Sequence, residues 1–167
     1  MAHAIVRTDK MWGTDVRSGM VSFEAPAEID NGSVVTLGGL KGTTKLEREI
    51  YTAAQPTASD DFDAIVLVAT PEVNTVPGTY AMENFVNKKD SIARGYRLHK
   101  GDIFSVTQEA LTAADFDAVA ADDVVELQAG YKLKVVSSAT SGSTVIGKIL
   151  DVEVAGGKTF YVVEVTA

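Results

Sequence analysis

The chain has 167 residues, of which 46% are apolar and 23% charged, a composition typical of folded globular proteins rather than disordered ones. Its formal net charge of -8 argues against nucleic-acid binding, which requires Lys and Arg to neutralise phosphates. Because cysteine is absent, disulfides, thiolate metal sites and cysteine nucleophiles are excluded.

Neither a membrane span nor a secretory signal is predicted. The sequence contains no run of about 18 apolar residues, which is the length that a spanning helix needs. Residues 1–7 lack the basic and apolar regions of a signal peptide. We therefore expect synthesis in the cytoplasm and no association with a membrane.

Residues 1–20 are predicted to form an N-terminal arm or irregular segment. Residues 4–8 have the pattern of a short strand, but the rest shows neither helical nor strand periodicity. A lone tryptophan in such a segment often anchors a partner surface. We therefore take Met11, Trp12 and Arg17 as candidate partner contacts. The alternative is that Trp12 packs on the core of its own fold.

A nine-residue pattern occurs three times, at residues 29–37, 98–106 and 127–135. Each copy has an aliphatic residue three positions before a glycine and apolar residues three and five positions after it. Glycine adopts a positive φ without steric cost, so each copy predicts a strand, a tight turn and a second strand. The unequal spacing of the copies disfavours a solenoid.

The remaining elements extend this β pattern over residues 21–167. Residues 64–69 form an apolar run without a polar break, which is typical of a strand buried on both faces. Residues 70–79 hold two of the four prolines, so a division of the β domain into two lobes near this segment is an alternative to one unit. The Gly156-Gly157 pair predicts a two-residue hairpin turn.

The predicted fold class is mainly β. Many short strands with turn signals between them indicate a small antiparallel barrel or a sandwich built from hairpins. At most one or two short helices are expected, one within residues 80–93 and one within residues 113–120. Barrel and sandwich both account for the pattern.

Residues 88–100 are basic in an otherwise acidic chain, with Asp90 as their only acid. A local basic patch on an acidic protein suits docking on an acidic partner surface. The alternative is a solvated loop rich in lysine. The candidate contacts in this stretch are Lys88, Lys89, Arg94 and Arg97.

No pattern in the sequence carries reaction chemistry. The two histidines, His3 and His99, are not accompanied by the Gly-x-Ser-x-Gly elbow of serine hydrolases. Asp60, Asp61 and Asp63 form the densest acidic group, but the spacing of an EF-hand is missing, so a solvated turn is favoured over a calcium site. We expect no enzymatic activity, catalytic residue, cofactor or metal site.

Residues 11–19, followed by residues 34–37, resemble the small decoration or head-stabilising proteins of tailed bacteriophage capsids. The small, acidic, cysteine-free and β-rich character of the whole chain fits the same resemblance. It implies a non-enzymatic virion protein that binds the assembled major capsid protein and stabilises the head. It also implies a homo-oligomer, such as a trimer, that is made in the host cytoplasm and resides on the capsid surface.

The alternative function is a carbohydrate-binding or adhesive β module, such as a phage tail or fibre component. A hydrolase with paired carboxylates is a third reading, although no residue pattern indicates a cleft for it. Sugar-dependent quenching of Trp12 fluorescence would favour the carbohydrate-binding alternative.

Overall fold

The computed structural model describes residues 2–42, 49–74, 77–78 and 80–167, and strands predominate among them. The strands form a closed five-stranded barrel and a separate seven-stranded sheet. The prediction of a mainly β fold, either a small barrel or a sandwich, is therefore confirmed, and the structure contains a closed barrel.

The barrel is built from the first half of the chain, with strands in the order β2-β4-β3-β5-β6. All neighbouring strands are antiparallel except β2 and β4, which are parallel. A ring of five strands cannot alternate direction throughout, so a closed barrel of this size needs a parallel pair. The strands are β2 Met20–Glu24, β3 Val34–Leu40, β4 Ile50–Ala54, β5 Ile65–Val68 and β6 Ile92–Arg97.

The seven-stranded sheet combines one N-terminal strand with the second half of the chain, in the order β1-β7-β12-β11-β9-β10-β8. Its pairs are antiparallel except β8 with β10. The strands are β1 Val6–Lys10, β7 Ile103–Thr107, β8 Leu111–Thr112, β9 Val124–Glu126, β10 Leu133–Val136, β11 Val145–Ala155 and β12 Lys158–Val165.

The N-terminal segment belongs to the fold and does not project as an arm. Strand β1 pairs with β7 through Val6 and Val106, and a single helical turn, α1 Trp12–Asp15, follows it. The strand expected at residues 4–8 therefore exists, shifted by two residues. Within the segment predicted as an arm or irregular segment, residues 1–20, β1 therefore forms one edge of the sheet, and single helical turns follow it.

The boundary between the two sheets lies between Arg97 and Ile103, not near residues 70–79. Strands β5 and β6 stand on either side of residues 70–79, yet they pair in one barrel, with Val66 opposite Arg97. The two prolines therefore lie in the connection between two neighbouring strands of one barrel, and the possible division into two lobes near this segment does not coincide with the boundary between the sheets.

All three glycines of the nine-residue pattern adopt the predicted positive φ, at 81° for Gly32, 89° for Gly101 and 146° for Gly130. Only the third copy, however, joins two paired strands, β9 and β10. The first copy leads into β3 from a strand that does not pair with it, and the second connects the barrel to the other sheet. The expectation of three hairpins is therefore wrong for two copies.

Two apolar clusters form the core, and β5 contributes to both. Ile65 and Leu67 pack with residues of the seven-stranded sheet, whereas Val66 and Val68 pack inside the barrel. All four side chains are buried, which confirms the prediction from their uninterrupted apolar run. The larger cluster contains residues of both sheets, so the barrel and the sheet pack against each other through it.

In the part of the chain that the structure describes, helical structure is limited to short turns. Single 3₁₀ turns at Met82–Asn84 and Phe116–Ala118 occupy the two segments in which short helices were predicted. The longest helix among the described residues is α1, with four residues, far short of a membrane span.

Candidate functional site

A groove with a volume of about 560 Å³ lies beside the first half of β2. Strand β2 pairs with β6 from Met20 onward but meets β4 only from Ser22. Among the described residues, the Met20 end of β2 therefore pairs with β6 alone, and the groove lies beside this end. We name it the arginine groove. Its lining residues are Arg17, Ser18, Met20, Val21, Ser22, Glu49, Tyr51, Arg94 and Arg97.

Three arginines from two distant parts of the chain converge on this groove. Arg17 lies exposed in the 3₁₀ turn that precedes β2, and Arg94 lies partly buried on β6, opposite Ser22 of β2. Among the described residues, no carboxylate forms an ion pair with either arginine or with Arg97. The groove is therefore a local concentration of positive charge on an acidic protein.

Arg97 is more constrained than the other two arginines. Its guanidinium carbon lies 6.0 Å from the centroid of the Tyr51 ring, and one of its nitrogens donates a hydrogen bond of 3.5 Å to the carbonyl oxygen of Asp63. These contacts hold the end of the side chain against the groove wall. Arg97 therefore shapes the groove while Arg17 and Arg94 offer their donors to it.

Lys88 and Lys89 lie apart from the arginine groove. Both are exposed in the turn that precedes β6, whereas Arg97 ends that strand. At roughly 3.3 Å per residue, the length of β6 puts its two ends well over 10 Å apart. The predicted basic stretch is thus divided, and only its two arginines join the groove.

Trp12 lies next to the arginine groove, in the turn α1. The residue is 39% exposed, and its ring stacks on His99, with ring centroids 4.0 Å apart and planes tilted by 35°. A Cβ built on Gly19 would come within 2.7 Å of the Trp12 ring, so the ring lies close against this glycine. Gly19 stands between Ser18 and Met20, which line the groove. The Trp12 turn therefore packs beside the segment that lines the groove.

Met11 does not belong to this surface, although the sequence suggested it as a partner contact. Its side chain is 2% exposed and packs in the larger core cluster. The neighbouring methionine that does reach the surface is Met20, which is 37% exposed and lines the groove. Met20 and Val21 alternate along β2, and Val21 is the one that points inward.

A buried carboxylate fixes the position of the Trp12 turn. Asp102 is 3% exposed and accepts a hydrogen bond of 2.8 Å from the backbone N–H of Trp12 and another of 2.8 Å from that of His99. The sequence analysis missed this role. The available signal was an aspartate directly after the turn glycine Gly101, since such carboxylates often bind nearby backbone N–H groups.

The acidic group at residues 60–63 is used for local structure. Hydrogen bonds from Thr36 and Thr57 hold the pKa of Asp60 below its ordinary value and fasten its loop to β3. Asp61 accepts a hydrogen bond from the backbone N–H of Asp63. In the part of the chain that the structure describes, no three His, Asp or Glu side chains are grouped to hold a metal ion.

The arginine groove and the Trp12 turn together suit binding. Guanidinium groups offer planar sets of donors that match carboxylates, and an exposed aromatic ring adds apolar contact area. No family model, curated protein or solved structure matches this chain.

Proposed function

We propose that this chain is a non-enzymatic decoration protein of a tailed bacteriophage capsid, which binds the assembled major capsid protein and stabilises the head. The observation that carries the proposal is the convergence of Arg17, Arg94 and Arg97 on one groove, with the exposed Trp12 in a turn that packs against Gly19 beside it. Tryptophan and arginine are the residue types most enriched among the energetically dominant contacts of protein interfaces. The resemblance in residues 11–19 supports the same function.

The rigidity of the surface also supports this function. Arg94 is carried by a barrel strand, and the Trp12 turn is held by the buried carboxylate of Asp102. Side chains that are already ordered lose less conformational entropy when a partner binds. A capsid lattice presents many equivalent sites, so modest affinity at each site is sufficient for stable decoration. Assembly into a homo-oligomer, such as a trimer, would multiply these contacts and is part of the proposal.

The carbohydrate-binding alternative receives less support from the geometry. Sugar-binding sites commonly present an open aromatic face for stacking, but His99 already stacks on Trp12 at a centroid distance of 4.0 Å. Tyr51, the aromatic residue of the groove, is partly buried and lies close to the guanidinium of Arg97. We therefore favour a protein partner.

The proposal is tested by cosedimentation of the purified protein with shells assembled from the major capsid protein of the same phage. We expect the unaltered protein to sediment with the shells, and Trp12→Ala and Arg94→Ala each to weaken binding by about tenfold or more. The double variant Lys88→Ala/Lys89→Ala serves as a matched control because it removes positive charge away from the groove.

Two results would contradict the proposal. One is failure of the unaltered protein to bind shells at any concentration tested. The other is saturable quenching of Trp12 fluorescence by a sugar, which would support the carbohydrate-binding alternative. Unchanged binding by Trp12→Ala would remove the Trp12 turn from the capsid interface.

A further inference from the structure

We infer that the arginine groove is a receptor for a short acidic segment of the partner protein, whose side-chain carboxylates bind Arg17 and Arg94. The inference identifies the chemistry of the partner and, for the identity of that partner as a capsid protein, rests on the proposed function. The recognition step itself can be tested on the isolated protein.

The first argument is that Arg17 and Arg94 have no ion-pair partner among the described residues. A guanidinium group carries five N–H donors in a planar fork that matches the two oxygens of a carboxylate. Arg94 is partly buried on β6, and the described residues provide no carboxylate within ion-pair distance of it or of Arg17. A carboxylate of a ligand in the groove would accept hydrogen bonds from these guanidinium groups.

The second argument is charge complementarity. The chain has 23 acidic residues and 15 basic ones, yet the groove brings three arginines together with Glu49 as the only acidic side chain among its described lining residues. Salt screens charges over about 8–10 Å, so a short segment in the groove responds mainly to this local excess. A long polyanion such as a nucleic acid would extend beyond the groove over a protein whose net charge is -8. Charge therefore favours a short acidic peptide segment.

The third argument is the shape and lining of the groove. A volume of about 560 Å³ falls within the range of clefts that hold compact ligands, and it suits a few residues of extended chain. Ser18 and Ser22 offer hydroxyl groups to a peptide backbone, while Met20 and Tyr51 offer apolar surface. Arg97 is held against Tyr51 and the carbonyl oxygen of Asp63, so its side chain forms part of the groove wall and is not assigned as a ligand contact.

The chain contains its own reporter for this site. Trp12 is the only tryptophan, and its exposed ring adjoins the groove. A blocked peptide with four glutamates spaced by glycines, titrated into the isolated protein at low salt, should change the Trp12 fluorescence in a saturable way. The same peptide with glutamine in place of glutamate should leave the fluorescence unchanged. Raising the salt concentration from about 20 to 300 mM should abolish the response.

Charge reversal locates the binding site. Arg17→Glu and Arg94→Glu should each weaken binding of the glutamate peptide by about tenfold, and Arg94→Gln by less. Lys88→Glu/Lys89→Glu changes the net charge more than either single variant but should leave peptide binding within about twofold. Circular dichroism spectra establish that each variant is folded before the comparison is made.

The outcomes separate this inference from the proposed function. If the unaltered protein binds shells but neither charge reversal nor the glutamate peptide affects that binding, the acidic-segment inference is overturned while the decoration function stands. If the glutamate peptide binds in an arginine-dependent way but the protein does not bind shells, the acidic-segment inference stands while the decoration function is overturned. Tighter arginine-dependent binding of inorganic phosphate or a short oligonucleotide than of the glutamate peptide would overturn the inference in favour of a phosphate ligand.

Discussion

The backbone N–H of Trp12 donates a hydrogen bond of 2.8 Å to the carboxylate of Asp102, a residue 90 positions away in the sequence. The other oxygen of the same carboxylate accepts the backbone N–H of His99, also at 2.8 Å. One buried group thus fixes both members of the aromatic stack beside the arginine groove. Asp102 lies in the connection between β6 of the barrel and β7 of the other sheet. The placement of the exposed Trp12 ring therefore depends on this connection.

Replacing Asp102 with alanine should therefore destabilise the protein and disorder the Trp12 turn. Hydrogen bonds to charged groups contribute about 1.5–3 kcal/mol each, and two backbone donors would lose their acceptor. We expect urea unfolding to show a loss of about 3 kcal/mol for Asp102→Ala and roughly half of that for Asp102→Asn, which retains one acceptor oxygen. The Trp12 emission should shift to longer wavelength. A loss below about 0.5 kcal/mol would show that water replaces the carboxylate.

Two glycines in strands offer a matched comparison of packing. A Cβ on Gly147 in β11 would lie 2.0 Å from the carbonyl oxygen of Glu164 on β12, whereas a Cβ on Gly39 in β3 would have no atom of the described residues within 4 Å. Gly147→Ala should therefore cost about 3 kcal/mol or more in unfolding free energy, while Gly39→Ala should change it by less than about 1 kcal/mol. Equal effects in urea unfolding would contradict the described pairing of β11 with β12.

The glycine turns were predictable from the sequence, but the partners of the strands were not. A positive φ is a local requirement, and Gly32, Gly101 and Gly130 all meet it. Which strand lies beside another depends on contacts distant in sequence. The connection after β6 has the same local pattern as the true hairpin between β9 and β10, yet it leads into a different sheet.

The stability of the protein should decrease in acid because of Glu126. Its side chain is 0% exposed, and this burial acts to raise its pKa, but hydrogen bonds from Thr140 and the nearby ammonium of Lys134 outweigh burial and lower the pKa below the ordinary 4.5. A lowered folded-state pKa means that the ionised carboxylate stabilises the fold above pH 4.5. That contribution is lost as the pH falls through the folded-state value.

Urea unfolding between pH 7 and pH 3 checks this expectation. Glu126→Gln should be less stable than the unaltered protein at pH 7. Its stability should fall less steeply in acid, because the substituted side chain no longer takes up a proton when the protein unfolds. Glu28→Gln, at an exposed position, is the control and should follow the unaltered protein. A pH profile for Glu126→Gln parallel to that of the unaltered protein would refute the assigned role.

Arg7 is expected to hold the first strand to the long hairpin of β11 and β12. Its guanidinium lies 4.2 Å from the centroid of the Phe160 ring and forms a 2.8 Å ion pair with Glu153. Arg7→Ala should cost about 1–2 kcal/mol, since it removes both contacts and uncovers Phe160. Glu153→Gln removes only a half-exposed charge and should cost below about 1 kcal/mol. Equal losses in urea unfolding would assign the effect to the ion pair alone.

The candidate site was only partly predictable. Trp12, Arg94 and Arg97 were suggested by a lone aromatic residue and a local excess of positive charge, and these signals are visible in a short window. Their convergence with Arg17 depends on the antiparallel pairing of β2 with β6, which a short window does not contain. The same strand separates Lys88 and Lys89 from the groove, so adjacency in sequence was misleading there.

The pairing of β1 with β7 has a consequence for the order of folding. The whole barrel lies in sequence between these two strands, whose register places Val6 opposite Val106. Within the barrel, Met20 of its first strand pairs with Tyr96 of its last, so barrel closure brings the two flanking segments side by side. A chain that closes the barrel first then needs only a short loop to join β1 to β7. Closure of the barrel therefore brings β1 and β7 close together, although they are far apart in the sequence.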